Sequence, residues 1–247
     1  MARRDDIVAF ANELLEVERF PEYGLPGLQV VGAEDVTKVA GGVSSSRELF
    51  ERARSAGAQL VLVHHGLFWR NEPLLVDRRL KGRLQALFAG ELSLVAYHLA
   101  LDAHRELGNN ALLARRLGIE PDTMFSEIGV GGTLSEPVAI EELTRRFHEA
   151  TGSDPLVFGE GPPSIERVAV VTGRGGDRVI HAAHERYDAF VTGEPDEPAL
   201  HSARELGIHF LAGGHYATET FGVRALGERL ADEFGIEWEF LDLPNPV

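Results

Sequence analysis

The chain has 247 residues, 44% of them hydrophobic, a formal net charge of −15 and no cysteine. That length holds one large α/β domain or two modest lobes with proper cores, and the lack of thiols excludes disulfides, thiolate metal sites and a cysteine nucleophile. The acidic balance repels nucleic-acid phosphate and no basic block offsets it, so no nucleic-acid partner is expected. No run approaches the ~18 apolar residues of a membrane helix. The start, "MARRDDIVAF", turns acidic before any apolar stretch and reads poorly as a signal peptide. No membrane association and a cytoplasmic location are expected.

Taken in chain order, Ile7, Phe10, Leu14 and Leu15 recur at helical spacing behind an acidic start and predict a helix. "LQVVG" and "KVAGGVSSS" predict strands, and "RELFERARSAG" a helix closed by Gly57. "QLVLVHH" is a strand whose near-continuous apolar run predicts burial on both faces. A helix over "DRRLKGRLQALFAG", a buried strand over "LSLVAYH" and a helix over "NNALLARRLG" follow. The segment 119–137 is rich in Gly, Pro and Ser, with one short strand expected around "EIGVGGTL", and reads as the boundary between halves. Alternation then resumes: helix "VAIEELTRRFHEA", strand "RVAVVTG", helix "RVIHAAHERY", strand "DAFVTGE", helix "PALHSARELG", strand "IHFLAG", one helix from His215 to Phe234, and strand "IEWEFLD". Strands alternating with helices predict mostly parallel sheets. The expected fold class is α/β with two similar lobes, 1–125 and 126–247, the final helix and strand being free to pack back on the first.

The halves look related. "KVAGGVSSSRELFERARSAGAQLVLVHH" aligns without a gap on "RVAVVTGRGGDRVIHAAHERYDAFVTGE". Downstream, "YHLALD" and "GHYATE" both carry His-x-x-x-acid, as His98/Asp102 and His215/Glu219. An internal duplication is the reading this favours, with the functional site in the cleft between the lobes.

Ligands in open α/β sheets bind beyond the carboxyl ends of strands. Three such ends carry histidines or carboxylates: His64 and His65, then His98 with Asp102, then His215 with Glu219. Residues i and i+4 share a helical face, so His215 and Glu219 continue the apolar stripe of Val223, Leu226, Leu230 and Phe234. Neighbouring strand residues point to opposite faces, so His64 and His65 could not serve one metal from a regular strand. They could serve two metals side by side if the strand ends there and Gly66 lets the chain turn. Nitrogen and oxygen donors without sulfur suit Zn, Fe, Mn, Co or Ni, with the choice left open. Lone histidines near strands are mostly structural, and His104, His148, His181, His184, His201 and His209 are read so. "GNN" at 108–110 reads as a turn and helix cap. "TGEPDE" reads as a loop, or else offers Glu194 to the metal cleft. "TGRGG" lacks the residues of a phosphate loop.

The motifs "VHHGLFW", "YHLALDAHRELGNNALLARRLG", "VTGE" and "GHYATE", in this order and over nearly the whole chain, resemble the NGG-one-interacting-factor-three-like proteins, often labelled GTP cyclohydrolase I type 2 homologues. The resemblance implies a homohexamer, a trimer of dimers, with a dinuclear metal centre facing its cavity. It carries metal binding onto His64, His65, Asp102, His215 and Glu219, with His98 as a sixth ligand or a close neighbour of the shell. The chain lacks the large central insertion of longer members.

On this reading the protein holds two divalent ions and hydrolyses a small nucleotide or phosphorylated substrate. Two such ions against Asp102, Glu219 and a hydroxide leave a charge of about +1, which would draw an anionic substrate. His98 or Glu194 would shuttle the proton. The alternative is a metal chaperone or regulatory scaffold without turnover, which the same ligands fit.

Overall fold

The computed structural model describes Met1–Val247. The chain divides into two compact units: Met1–Leu101 with Gly222–Leu243, and Asp102–Phe221 with Pro244–Val247.

The first unit opens with β1 (Ala2–Arg3) and α1 (Arg4–Leu14), then β2 (Gly27–Val30), β3 (Asp35–Val36), β4 (Lys38–Ser44), α2 (Arg47–Ser55), β5 (Leu60–His65), α3 (Arg78–Ala89) and β6 (Ser93–Ala96). The short α4 (Leu99–Asp102) leads out of it. Local signals set these limits. Ser46 Oγ accepts the Leu49 N–H at 3.1 Å and Asp77 Oδ1 accepts the Leu80 N–H at 2.7 Å, so both α2 and α3 start on side-chain caps. The apolar run of β5 is buried from Leu60 through His64, as expected for a central strand.

The second unit contains α5 (Asn109–Arg116), β7 (Ile119–Phe125), β8 (Gly129–Val138), α6 (Ile140–Thr151), β9 (Leu156–Gly159), β10 (Ile165–Val171), α7 (Val179–His184), β11 (Ala189–Thr192), α8 (Ala199–Leu206), β12 (His209–Ala212) and α9 (His215–Thr218). Its six-stranded sheet has the order β7-β8-β10-β11-β12-β9, with β10, β11 and β12 parallel and the other pairings antiparallel. Ile165, Val168, Val170, Val191 and Leu211 form one core with Leu143 and Phe147 of α6. Phe125, Phe190 and Phe210 form another with residues of α7 and α8.

The chain then runs through α10 (Thr220–Phe234) to β13 (Glu237–Phe240), which pairs in parallel with β4 in the first unit. The first unit's sheet has the order β13-β4-β5-β6-β2, parallel except for β2. Its core joins Val61, Val63 and Leu94 to Leu49, Phe50 and Leu87 of the helices. The first sheet thus has four parallel strands, β13, β4, β5 and β6, with antiparallel β2 beside β6, and the second has three, β10, β11 and β12, with antiparallel β9 beside β12. No helix is long and apolar enough to cross a membrane.

Four features differ from what the sequence predicts. The segment 119–137 expected to hold one short strand forms most of the β7–β8 hairpin, with a register shift between Pro121 and Thr123. The glycines that looked like loop residues make room inside the sheet: a Cβ on Gly132 would sit 2.1 Å from the Glu120 carbonyl oxygen, and one on Gly131 would strike Tyr187. The first compact stretch ends at Leu101, ahead of the expected division at 125/126, because β7 belongs by hydrogen bonding to the second sheet. The expected single helix 215–234 is broken at Glu219, whose N–H bonds back to Tyr216 with a three-residue step before α10 begins. β1, β3 and β9 were not foreseen; the first two span two residues each.

Candidate functional site

In the first unit, β5 ends in His64 and His65 and the chain after β6 supplies His98. One ring nitrogen from each of the three lies within 4.8 Å of the other two. The ring centroids of His64 and His65 are 4.7 Å apart, those of His64 and His98 5.0 Å, and those of His65 and His98 5.5 Å. The adjacent histidines meet because the strand stops at His65. Gly66 contributes by its size: it has an ordinary backbone conformation, but a Cβ there would sit 2.3 Å from the Gln29 side chain. Gln29 Oε1 in turn accepts the Leu67 N–H at 2.7 Å, fixing the exit from the strand.

Each ring is held from its Nδ1 side. His64, fully buried, has Nδ1 2.8 Å from the Tyr97 carbonyl oxygen. An acceptor there requires the proton on Nδ1, so a neutral ring carries its lone pair on Nε2. His65 Nδ1 lies 2.9 Å from Ser44 Oγ, its register partner on β4. His98 Nδ1 lies 3.4 Å from Glu22 Oε2, and the Trp69 ring stands edge-on to it with centroids 5.1 Å apart. Burial pushes the Glu22 carboxyl upward, but the nearby His98 ring and the Ala100 N–H hold it below its ordinary range.

In the second unit, His215 opens α9 after Gly214, whose φ of +103° favours glycine. His215 Nε2 lies 2.9 Å from Glu219 Oε2, so the pair does share a face, as its spacing predicts, across the break in the helix. Glu194 meets Nδ1 of the same ring through Oε1. Burial works against the charged imidazole, yet Glu219 and Glu194 together push its pKa up to about 9. Two loops wall the pair. Gly173, at φ +65°, leaves no room for a side chain, since a Cβ would sit 2.0 Å from Glu219 Oε1. Its N–H is donated to Thr218 Oγ1 at 3.0 Å, and its carbonyl oxygen accepts the N–H groups of Gly193 and Glu194. "TGRGG" and "VTGE" are therefore the frame of this pair.

Asp102 is buried at the end of α4. Asn109 Nδ2 donates to its Oδ1 at 2.8 Å, and Asn110 Nδ2 donates to its backbone oxygen at 3.1 Å. Asn110 Oδ1 also accepts the Thr172 N–H at 2.7 Å. "GNN" is thus more than a cap: both asparagines are fully buried and orient Asp102. Glu22, Ser44, Asn109, Asn110 and Gly173 escape the sequence reading. Of the remaining histidines, His104 Nδ1 accepts the Leu107 N–H at 3.0 Å, His148 pairs with Asp154 at 2.8 Å and His209 Nε2 meets the Pro162 carbonyl oxygen at 2.9 Å.

The profile of the family described as Duf34/NIF3 (NGG1p interacting factor 3) matches residues 2–246. A Deinococcus radiodurans protein named GTP cyclohydrolase 1 type 2 homolog is 39% identical, over 98% of this chain and 94% of its own length. An Escherichia coli (strain K12) protein of the same name is 41% identical, over 99% of this chain and all of its own. The solved structure of protein ybgI, described as of unknown function, superimposes with a TM-score of 0.97 at 41% identity, covering both chains fully.

Proposed function

The chain belongs to the Duf34/NIF3 family, and from that premise we propose that it is a divalent-metal protein that hydrolyses a small nucleotide or phosphorylated substrate. The observation that carries the proposal is the convergence of three histidine ring nitrogens within 4.8 Å. Three imidazoles so close, each backed at Nδ1, are arranged as metal ligands are, with an outer partner fixing ring orientation. The donors fit the group. Imidazole nitrogens and carboxylates without thiolate suit Zn, Fe, Mn, Co or Ni. His64, His65, His98, Asp102, His215 and Glu219 would hold the metal, with two ions per chain. Bound divalent ions would polarise the bond under attack and lower the pKa of a coordinated water.

The chain's own residues then have separate tasks. Asn109 and Gly173 keep Asp102 and Glu219 in place. Glu194, hydrogen-bonded to His215 Nδ1, orients that ring. The name carried by the curated relatives puts purine nucleoside triphosphates first among substrates to try. A hexameric assembly in the cytoplasm belongs to the same proposal.

The test is a metal-analysed sample screened against nucleotides and phosphoesters, beside His65→Ala and Glu219→Gln. Turnover that requires metal and is lost in both variants supports the hydrolase. Tight, exchangeable metal with no turnover of any substrate would move the reading to a metal chaperone or regulatory scaffold.

A further inference from the structure

Glu22 is a buried acid in a stretch that supplies no motif. Its side chain is 3% exposed and lies between a 3-10 turn, Val17–Arg19, and β2. One oxygen, Oε1, accepts the Ala100 N–H at 2.9 Å. The other, Oε2, is buried and makes no hydrogen bond within ordinary limits; the same holds for His98 Nδ1. These two atoms lie 3.4 Å apart. Two buried polar atoms left with only each other call for a reason, and a buried carboxylate is costly unless it is paired. The three other candidate histidines supply one. His64, His65 and His215 all have Nδ1 against an oxygen, from Tyr97, Ser44 and Glu194 respectively.

We propose that Glu22 is the positioning residue for His98: its carboxylate takes the Nδ1 hydrogen and turns Nε2 toward the ring nitrogens of His64 and His65. The backbone N–H of Ala100, two residues beyond His98, anchors the carboxylate so that ring and acid are set by the same short turn. This completes a pattern in which all four histidines work through Nε2. The inference rests on the reading of His98 as a metal ligand, and its test separates the two.

The first measurement is nitrogen NMR of the His98 ring in metal-free, full-length protein. A proton on Nδ1 is expected, with the tautomer preference lost in Glu22→Gln and retained in Glu18→Gln, a change at an exposed acid nearby. The second is Zn affinity by chelator competition, expected to weaken about tenfold to hundredfold in Glu22→Gln, with the Zn-induced shift in wild type falling on Nε2. A His98 proton on Nε2 alone in the wild-type protein overturns the inference without requiring any variant to fold. So does a Glu22→Gln protein with unchanged tautomer and unchanged Zn affinity. If the wild-type protein binds no Zn, the metal proposal fails while the tautomer measurement still decides the role of Glu22.

Discussion

Metal binding at the His215–Glu219 pair should strengthen steeply with pH. Glu219 lies 2.9 Å from Nε2 and Glu194 contacts Nδ1, and together they hold the proton on the ring up to about pH 9. A protonated imidazole has no lone pair to give, and metal must displace the proton. Each pH unit below 9 then weakens binding about tenfold, so affinity should rise roughly a hundredfold between pH 7 and 9, about 2.7 kcal/mol. An imidazole of ordinary pKa would stop contributing near pH 7. The assay is Zn competition against a calibrated chelator at pH 7, 8 and 9, corrected for chelator protonation and metal hydrolysis. Calorimetry in two buffers of different ionisation heat should show about one proton released from this ring per metal bound. Glu194→Gln removes one of the two charges that raise the pKa and should narrow the span. The metal-free protein should behave in the opposite sense. With the folded pKa above the ordinary value of 6.5, the pair's contribution to stability is complete below about pH 6.5 and disappears as pH rises through about 9. A corrected Zn affinity that is flat from pH 7 to 9 would refute this reasoning.

Gly173→Ala should displace Glu219, since the new methyl would sit 2.0 Å from its Oε1 on a backbone already at φ +65°; lower metal affinity in titration, together with a reduced melting temperature, is the expected result. Asn109→Ala removes the amide that bonds the buried Asp102 carboxylate; chemical denaturation should show a loss of about 1–3 kcal/mol, and added metal should recover part of it by binding the native state.

The parallel strands were legible because their apolar runs are continuous and end in polar residues, as in β5 and β11. The candidate ligands were legible for the same reason: histidines and acids that follow a buried strand stand out. The partners that orient them were not. Glu22 and Ser44 reach His98 and His65 from other segments of the chain, and sequence spacing carries no trace of such approaches. The sequence of "GNN" predicts a turn and helix cap, and Gly108 does cap α5, but the burial of Asn109 and Asn110 follows only from the fold. The β7–β8 hairpin was hidden by its own glycines, which composition assigns to turns and packing assigns to the sheet interior. The break at Glu219 was invisible because His215, Glu219 and Val223 keep helical spacing, and the tightened turn follows from Thr218, whose hydroxyl bonds back to the Gly214 carbonyl oxygen and accepts the Gly173 N–H.

The central claim, that this chain binds divalent metal through these ligands, is tested most directly by elemental analysis of protein loaded with Zn, Mn or Fe and then desalted, with wild type beside a combined His65→Ala, Glu219→Gln variant. The account predicts about two metals per chain in the wild type and a marked loss in the variant, which should retain a cooperative unfolding transition. A wild-type protein that retains no metal, or a folded variant that retains as much as the wild type, would contradict it.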